Sequence, residues 1–425
     1  MKKPQSIICL VVIGAWFFTV PGFAAAEETL GWDDCVKEAL ENNPDLIAAR
    51  EKVVQSRADK NASISDALPQ ISSQLSDKKS RTAGSKESTT YAYSVSGQQL
   101  LFDGFKTTSN IHAAVKSLDA EEYNYLVTSS NIRLYLKTAF SGLLRAQALI
   151  SLTEEIAKRR KENLELVQVR YEAGREHKGA VLTAQADLAQ AEFEVAQAKR
   201  NLILVQQELA KELGRDKKTP IRIEGDFMIE ESDTSKPDCE ALADTTPLLK
   251  ELIAKKEVAR FNVTAAKAEF FPEVYLSGSF GRSHSNWPPE DDTWTAGLTV
   301  SLPVFEGGNR VFQLRKAKSQ LVQAQANERS GRDGVIYTLE KTWKDFQDAI
   351  ETVAVKKRFL EAGLERAEIS NAQYSAGLTS FDDWIIIENN LVSAKKAYLD
   401  AQENVLTAEA YWLQAKGETL EYVKE

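Results

Sequence analysis

Apolar residues recur at alternating spacings of three and four along two segments of the chain, which predicts long amphipathic helices. One seam comprises Val181, Ala184, Leu188, Ala191, Val195, Ala198, Leu202, Val205 and Leu209. The other comprises Trp384, Ile387, Leu391, Ala394, Tyr398, Ala401, Val405, Ala408 and Trp412. The first segment carries a weaker second row, formed by Leu182, Ala189, Phe193, Ala196 and Ile203. We therefore expect helices with neighbours on two sides, which can close into a cylinder.

A longer stretch without proline precedes each seam, and a glycine separates the two parts at Gly174 and at Gly377. The pattern predicts two long helical hairpins, at 105–213 and 308–416. With a rise of 1.5 Å per residue, the first helix of each hairpin would reach roughly 100 Å and the second roughly 50 Å. A further helix is predicted at about 32–65 and another at about 240–270.

Between the early helix and the long hairpin, each half of the chain changes to a period of two. Val274, Leu276, Gly278 and Phe280 alternate with Glu273, Tyr275, Ser277 and Ser279. This alternation predicts two strands at about 69–101 and two at about 272–304. One face is apolar, the other small and polar, which is typical of transmembrane β-strands. Ordinary hairpins on a soluble domain would show the same pattern, so both interpretations remain open at this point.

The two halves are copies of one unit, because distinctive residues recur at an offset of 203. The matching pairs are Pro44 and Pro247, Pro69 and Pro272, Phe102 and Phe305, Gly104 and Gly307, Tyr171 and Tyr374, Gly174 and Gly377, Leu188 and Leu391, and Gly214 and Gly417. Such a duplication constrains the fold before any single element does. We expect a first repeat at 27–214, a connector at 215–243, a second repeat at 244–418 and a tail at 419–425.

The N-terminus has the pattern of a secretory signal peptide. Lys2 and Lys3 precede an apolar run, which is followed by Pro21-Gly22 and by the small residues Ala24 to Ala26. We predict that residues 1–26 are removed after export. An uncleaved anchor helix is the alternative, although the apolar run is short for that role. No later stretch has the ~20 apolar residues of a membrane helix.

Composition excludes several classes of protein. The 425 residues include 53 basic and 62 acidic side chains, for a net charge of −9. Nucleic-acid-binding proteins usually carry a basic excess, so we expect no nucleic-acid partner. Three Cys, three dispersed His and two Met leave little for a transition-metal site. We predict no metal and no other cofactor.

If the strands cross a membrane, the chain must oligomerise. Bacterial outer-membrane barrels have at least eight strands, and each chain supplies four. An open sheet edge in lipid would leave backbone groups unpaired at a cost of several kcal/mol each. A ring of three copies would supply twelve strands and twelve long helices. The predicted fold is therefore a mixed α/β membrane protein, with a trimeric β-barrel continuous with an α-helical barrel.

The duplicated unit and four motifs together resemble the TolC family of outer-membrane efflux proteins. The motifs are LFDG at 101–104, LPVFEGG at 302–308, RYEAG at 170–174 and QYSAG at 373–377. The resemblance covers essentially residues 30–418. It implies a homotrimeric channel-tunnel in the outer membrane, with a large periplasmic part, that serves efflux or type I secretion. It further implies a periplasmic adaptor and an inner-membrane transporter as partners, and a passive, non-enzymatic role.

The resemblance also assigns roles to the turns of the two hairpins. Gly174 and Gly377 have the sequence context of helix C-cap glycines. In the family, these turns form the periplasmic tip that adaptors grip. By resemblance, adaptor docking is expected to involve the first turn (Gly174, Arg175 and Glu176) and the second turn (Gly377 and Leu378).

Asp383 corresponds to an acidic position that rings the narrow tunnel entrance in the family. Its ordinary role would be at the start of a helix, where acids favour the dipole. The second acidic position of the family is Ile386 here, and a latching arginine corresponds to Thr379. The acidic partner of that arginine corresponds to Ala180. We therefore expect a constriction formed by Asp383 and Ile386, with Thr379 nearby and Tyr374 as a hydrogen-bonding member.

Two further groups of residues invite a hypothesis. Five aromatic residues could form an interfacial belt, or could be ordinary cross-strand pairs: Tyr91, Tyr93, Tyr275, Trp287 and Trp294. Cys35 and Cys239 lie at nearly equivalent places in the two repeats. In an oxidising compartment they could form a disulfide; free buried thiols are the alternative.

Two other functions compete with a duct. A periplasmic coiled-coil adaptor would also carry helical hairpins, but normally one hairpin beside soluble β domains. A structural tether would have the same fold and no conductance. The sequence does not separate a duct from a tether.

Overall fold

The computed structural model describes residues 28–81, 83–84, 87–215, 220–227 and 236–421. The predicted signal peptide, 1–26, lies outside the described residues. The helices are α1 (Trp32–Asn42), α2 (Pro44–Ser65), α3 (Lys106–Glu172), α4 (Lys178–Leu213), α5 (Cys239–Thr245), α6 (Pro247–Ala268), α7 (Asn309–Ala376) and α8 (Phe381–Lys416). The strands are β1 (Glu28–Leu30), β2 (Gln70–Ser80), β3 (Ser88–Phe102), β4 (Ile221–Ile223), β5 (Glu273–His284) and β6 (Asp291–Ser301).

The offset of 203 reappears in the element boundaries. Helix α2 begins at Pro44 and α6 at Pro247, and helix α4 ends 203 residues before α8 ends. Strands β2 and β5 also begin 203 residues apart. Each half therefore contains a broken helix, a β-hairpin and a long helical hairpin in the same order.

The early helix of each half is broken, which corrects the single helix predicted at 32–65 and at 240–270. The break lies at Asn43, before α2, and at Thr246, before α6, where the backbone is extended. Proline in the first helical turn disfavours a helical conformation in the residue before it. The Asn43 side chain then accepts hydrogen bonds from the backbone N–H groups of Asp45 and Leu46, at 3.0 and 3.1 Å. It therefore caps the new helix.

The four long helices form one layer in the order α4, α3, α8, α7. Helix α3 contacts both α4 and α8, and α8 also contacts α7. The predicted seams lie inside this layer, where Ala184, Ala191, Leu391 and Val405 are buried. The outer helices α4 and α7 keep large apolar side chains exposed, among them Leu182, Phe193, Ile203, Tyr337 and Phe359. The layer therefore has two open apolar edges within a single chain.

The two β-hairpins join into one antiparallel sheet in the order β2, β3, β5, β6. Pairing of β3 with β5 connects the two repeats, with Val95 opposite Phe280, and Phe280 is opposite Trp294 on β6. Residues opposite each other in register share a face. One face is therefore apolar and exposed, with Ile71, Leu75, Phe280, Trp294 and Leu298 between 60% and 76% accessible.

The other face of the sheet carries hydroxyl groups. Ser72 and Ser96 lie 2.8 Å apart between their side-chain oxygens, and so do Ser279 and Thr295. The alternation predicted from the sequence is therefore present as one apolar and one polar face. Among the described helices, none is long and apolar enough to cross a membrane.

A hydrophobic core lies where α3 meets the two short strands β1 and β4. Strand β1 pairs with β4 in parallel, and Leu30, Ile221 and Ile223 pack with Leu136 and Phe140 of α3. The described part of the tail also lies against α3. Glu421 accepts hydrogen bonds from Tyr125 and Ser129, both at 2.6 Å. These contacts fix the end of α8 to the middle of the long layer.

Cys35 and Cys239 are free thiols and both are buried. Cys35 packs in the core around Leu136, whereas Cys239 packs in a separate cluster with Trp343 and Phe346. The disulfide considered from the sequence is therefore not formed, because the connector places the two cysteines in different cores. Burial, followed by nearby carboxylates, raises the pKa of the Cys35 thiol to about 12.

Candidate functional site

The turns of the two long hairpins lie side by side at one end of the helical layer. Each long helix ends at a glycine with positive φ, +68° at Gly174 and +79° at Gly377. After Gly377, the N–H of Leu378 donates to the carbonyl of Gln373 at 2.8 Å. This pattern satisfies carbonyl groups that the helix end leaves open, and it needs a left-handed residue. The predicted C-cap role of both glycines is therefore present in the structure.

An aromatic cluster joins the two hairpins just inside the turns. Tyr374 at the end of α7 is fully buried and stacks on Trp384 of α8, with ring centroids 4.2 Å apart and planes 7° apart. Phe381 meets both rings edge-on at 6.1 to 6.3 Å. Val167 of α3 and Val181 of α4 complete the buried cluster from the first hairpin. Side chains from all four long helices therefore meet at this end.

Polar groups of the first hairpin hold Tyr374 at its edges. The Tyr374 hydroxyl lies 3.0 Å from Oε2 of Glu176, to which it donates. Arg170 donates from Nη1 to the Tyr374 carbonyl at 2.7 Å, and its guanidinium lies 4.5 Å from the centre of the tyrosine ring. Burial, followed by the hydrogen bond to Glu176, raises the pKa of the Tyr374 hydroxyl. The hydroxyl therefore stays protonated and donating at neutral pH.

These contacts bear on two expectations. Tyr374 was expected as a hydrogen-bonding member of a constriction. Its hydroxyl does donate a hydrogen bond, to Glu176, but its ring is buried between the hairpins, where it stacks on Trp384. The Glu176 side chain was expected to face a partner, but it is only 10% exposed because it accepts the tyrosine hydrogen bond. Both residues therefore connect the two hairpins of one chain.

Two of the other predicted constriction residues lie on the exposed side of α8, and the third lies in the turn before it. Asp383 is exposed and Ile386 is 55% accessible, whereas Thr379 is half-buried in the turn. Ser380 caps the helix, accepting from the Asp383 N–H at 3.1 Å and donating to its carboxylate at 2.7 Å. Asp383 therefore has its carboxylate held at the start of α8, next to an exposed apolar side chain.

The predicted docking residues at the turns remain accessible. Leu378 is 80% exposed, and Gly174, Arg175 and Gly377 are exposed. Nothing lies within 4 Å of the position that a Cβ on Gly174 would take. The end of the layer is therefore open to a partner.

A polar group lies about two turns further along α8. Glu388 is 1% exposed and accepts two hydrogen bonds from Arg159 of α3, at 2.6 and 2.7 Å, and one from Asn163 at 3.2 Å. The hydrogen bond to Glu388 raises the pKa of Arg159. Removing one partner of such a buried pair would leave the other charge unpaired. The pair therefore ties α8 to α3 above the aromatic cluster.

The five predicted belt aromatics do not share one surface. Tyr91, Tyr93 and Trp294 lie on the apolar face near the loop end, and Trp287 in the following loop meets Tyr91 edge-on at 6.1 Å. Tyr275 lies on the polar face, opposite Thr299, near the helical end of β5. Because alternate residues of a strand point to opposite faces, Tyr275 does not belong to this belt.

Arg170 and Phe381 were not predicted as members of the site, and Trp384 was predicted only as a residue of the apolar seam. A signal existed, because Arg170 opens the RYEAG motif and an aromatic residue precedes Asp382 at the start of α8. Which of these side chains meet depends on how the two hairpins pack, which a linear pattern does not give.

The model of the outer membrane efflux protein family matches residues 35–215 and again 240–418. The chain belongs to this family. Both repeats are thus covered, each by one match. The chain is an outer-membrane duct for efflux, with a large periplasmic part, and its relatives are the outer-membrane components of efflux or secretion systems.

Individual relatives match nearly the whole chain at low identity. The outer membrane efflux protein BepC of Brucella suis is 24% identical over 404 residues, which cover 93% of this chain and 87% of BepC. The alkaline protease secretion protein AprF of Pseudomonas aeruginosa is 26% identical over 336 residues, covering 75% and 68%. The open-state MtrE outer membrane channel of Neisseria gonorrhoeae superposes with a TM-score of 0.82 at 19% identity, covering 97% of both chains. The last comparison shows the shared fold.

Proposed function

We propose that three copies of this chain form one passive duct that carries substrates from a periplasmic adaptor and an inner-membrane pump to the exterior. The three sheets form a closed twelve-stranded barrel in the outer membrane, and the helical layers form a cylinder in the periplasm. The duct has no catalytic role, and its partners supply the energy for transport.

The four-stranded sheet is the observation that carries this proposal. Its apolar face is exposed, and β2 and β6 pair on one side only within the described residues. From Trp294 to Leu302 the apolar residues of the β6 segment span roughly 27 Å at 3.4 Å per residue, close to the apolar band of a membrane barrel. A sheet with open edges is unfavourable in lipid. Pairing of β6 of one copy with β2 of the next removes every edge.

The aromatic cluster and the Glu388 pair support a proposal for the entrance. Both hold the second hairpin against the first near the turns, whereas Asp383 and Ile386 stay exposed beside them. The entrance is narrowed by three copies of Asp383 and Ile386, and it widens when the second hairpin moves away from the first. The exposed turns, with Arg175 and Leu378, dock the adaptor.

Replacing Asp383 with Asn should reduce the cation selectivity of the duct. Three carboxylates around a narrow passage attract cations and repel anions, and the neutral amide removes that field. Reversal potentials in a planar bilayer under a salt gradient measure the change. Asp382→Asn, one residue away at the same exposed helix start, is the matched control. Unchanged selectivity in Asp383→Asn would exclude Asp383 from the constriction.

Migration of the protein from outer-membrane fractions tests the assembly. An unheated sample should run on a detergent gel as a trimer that converts to monomer on heating, because a closed barrel resists detergent until it unfolds. A monomer in the unheated sample after mild chemical cross-linking would contradict a barrel shared by three copies.

A further inference from the structure

Besides the Arg159–Glu388 pair, two further groups of ion pairs between α3 and α8 hold the contact between the two repeats inside one chain. Arg145 of α3 lies 3.1 Å from Glu403 of α8, and it also bonds Asp400. Ten residues further along α3, Glu155 pairs with Lys395 of α8. The two helices run antiparallel, so the pairs fix how far one slides along the other.

The offset of 203 identifies the residues of the outer helices α4 and α7 that are equivalent to Arg145, Glu155, Glu403 and Lys395. Arg145 and Glu155 correspond to Asp348 and Arg358 of α7. Glu403 and Lys395 correspond to Arg200 and Glu192 of α4. Every charge is reversed, yet each pair remains complementary. Complementary charges at both equivalent pairs are what a contact of α7 with α4, like that of α3 with α8, would use. The Arg159–Glu388 pair has no charged counterpart, because its equivalents are Ala362 and Gln185.

The four outer charges are accessible in a single chain. Arg200, Glu192 and Arg358 are exposed, and Asp348 is 62% exposed although it pairs with Lys344 one turn earlier in its own helix. Within the described part of the chain, Glu192 and Arg358 make no ion pair. Helix α4 and helix α7 lie at opposite ends of the layer, so these charges have to meet across two copies.

Apolar positions agree with the same correspondence. Four side chains that are 54% to 67% exposed on the outer helices have equivalents that are at most 9% exposed between the repeats. The pairs are Leu182 with Ile385, Ile203 with Leu406, Tyr337 with Leu134, and Phe359 with Ile156. The contact between α3 and α8 buries apolar side chains whose equivalents on α4 and α7 are exposed. A second copy of this chain is therefore the partner that fits the exposed faces of α4 and α7.

We propose that α7 of one copy packs against α4 of the next in the register of α3 against α8, with Asp348 opposite Arg200 and Arg358 opposite Glu192. The proposal rests on the trimer proposed above and specifies its contacts. The order of the helices in the layer also sets the order of the repeats. Helix α3 lies between α4 and α8 of its own chain, so only α4 and α7 are free to meet another copy. Head-to-tail contacts of α7 with α4 therefore make first and second repeats alternate around the ring.

Charge reversal with rescue tests the pairing. Asp348→Arg places two arginines against each other at each of the three contacts between copies. Each contact should then weaken by about fivefold, so the association constant of the trimer should fall by about a hundredfold. The subunit concentration at half-assembly should then rise about tenfold, because that constant scales with the square of concentration. Arg200→Asp should have the same effect, and the double variant Asp348→Arg with Arg200→Asp should return near the wild-type value. Light scattering in detergent at low salt measures the assembly.

Lys357→Glu is the matched control, because Lys357 is an exposed residue nine positions from Asp348 and so lies on the opposite side of α7. It should leave assembly unchanged. Helical circular dichroism distinguishes weaker assembly from misfolding, and rescue by the double variant excludes misfolding directly. The pairing alone is overturned if the wild type forms trimers and the single reversals leave assembly unchanged. It is also overturned if the double variant does not regain wild-type assembly. A wild-type protein without trimers would instead contradict the proposed assembly.

Discussion

Trp384→Ala is expected to free the second hairpin from the first at the entrance. The substitution removes the ring on which Tyr374 stacks at 4.2 Å and leaves a cavity among side chains of all four long helices. Large-to-small changes of a buried tryptophan cost about 3–5 kcal/mol. The cost falls on a local contact, so the turns should open before the rest of the layer unfolds.

Two readouts follow this change. Trypsin should cleave faster after Arg175 and Lys178 in the first turn, and the conductance of the reconstituted protein should rise. Tyr374→Phe is the matched control, because it keeps both ring contacts and loses only the hydrogen bond to Glu176, worth about 1 kcal/mol. Its effect on both readouts should be much smaller. Equal cleavage and equal conductance in wild type and Trp384→Ala would contradict a closing role for the cluster.

Gly214→Ala is expected to destabilise the junction between the first repeat and its early helices. Gly214 ends α4 with φ of +77°, and a Cβ there would lie 2.2 Å from the Asn42 carbonyl oxygen and 2.9 Å from the Asn43 nitrogen. The left-handed backbone costs about 1–2 kcal/mol for alanine, and overpacking against backbone adds about 1–3 kcal/mol. The expected loss is therefore about 2–5 kcal/mol.

Gly174→Ala separates these two causes. Gly174 has a similar φ of +68°, but nothing lies within 4 Å of its added Cβ. It should lose only the backbone part, about 1–2 kcal/mol. The midpoint of thermal denaturation in detergent compares the two variants. Equal shifts of the midpoint in both variants would contradict a steric clash at Gly214. They would mean that the backbone between α1 and α2 moves to accommodate the added Cβ at little cost.

The repeat and its hairpins were predictable because their signals are local. Proline and glycine mark the ends of helices wherever they occur, so Pro44, Gly174 and Gly214 and their counterparts gave an offset that the element boundaries reproduce. The helices predicted at 32–65 and 240–270 were continuous, because Pro44 and Pro247 entered only as landmarks of the repeat. In the structure the conformational restriction before proline breaks both helices.

The candidate site was less predictable because it depends on contacts between distant segments. The seam correctly indicated that Trp384 is buried, but not that Tyr374 stacks on it or that Glu176 accepts the tyrosine hydroxyl. For Tyr275, the alternation had placed the residue on the side of Ser277, and the belt hypothesis conflicted with that placement. Face assignment by period two was the stronger argument, because it follows from backbone geometry.

Planar-bilayer recording of the purified, reconstituted protein tests the central claim most directly. A passive duct should give step-like currents in the wild type, with a preference for cations, and larger steps in Trp384→Ala. A non-conducting tether with the same fold would give none. Trimers that insert into the bilayer but produce no current steps, in the wild type or in Trp384→Ala, would contradict the account.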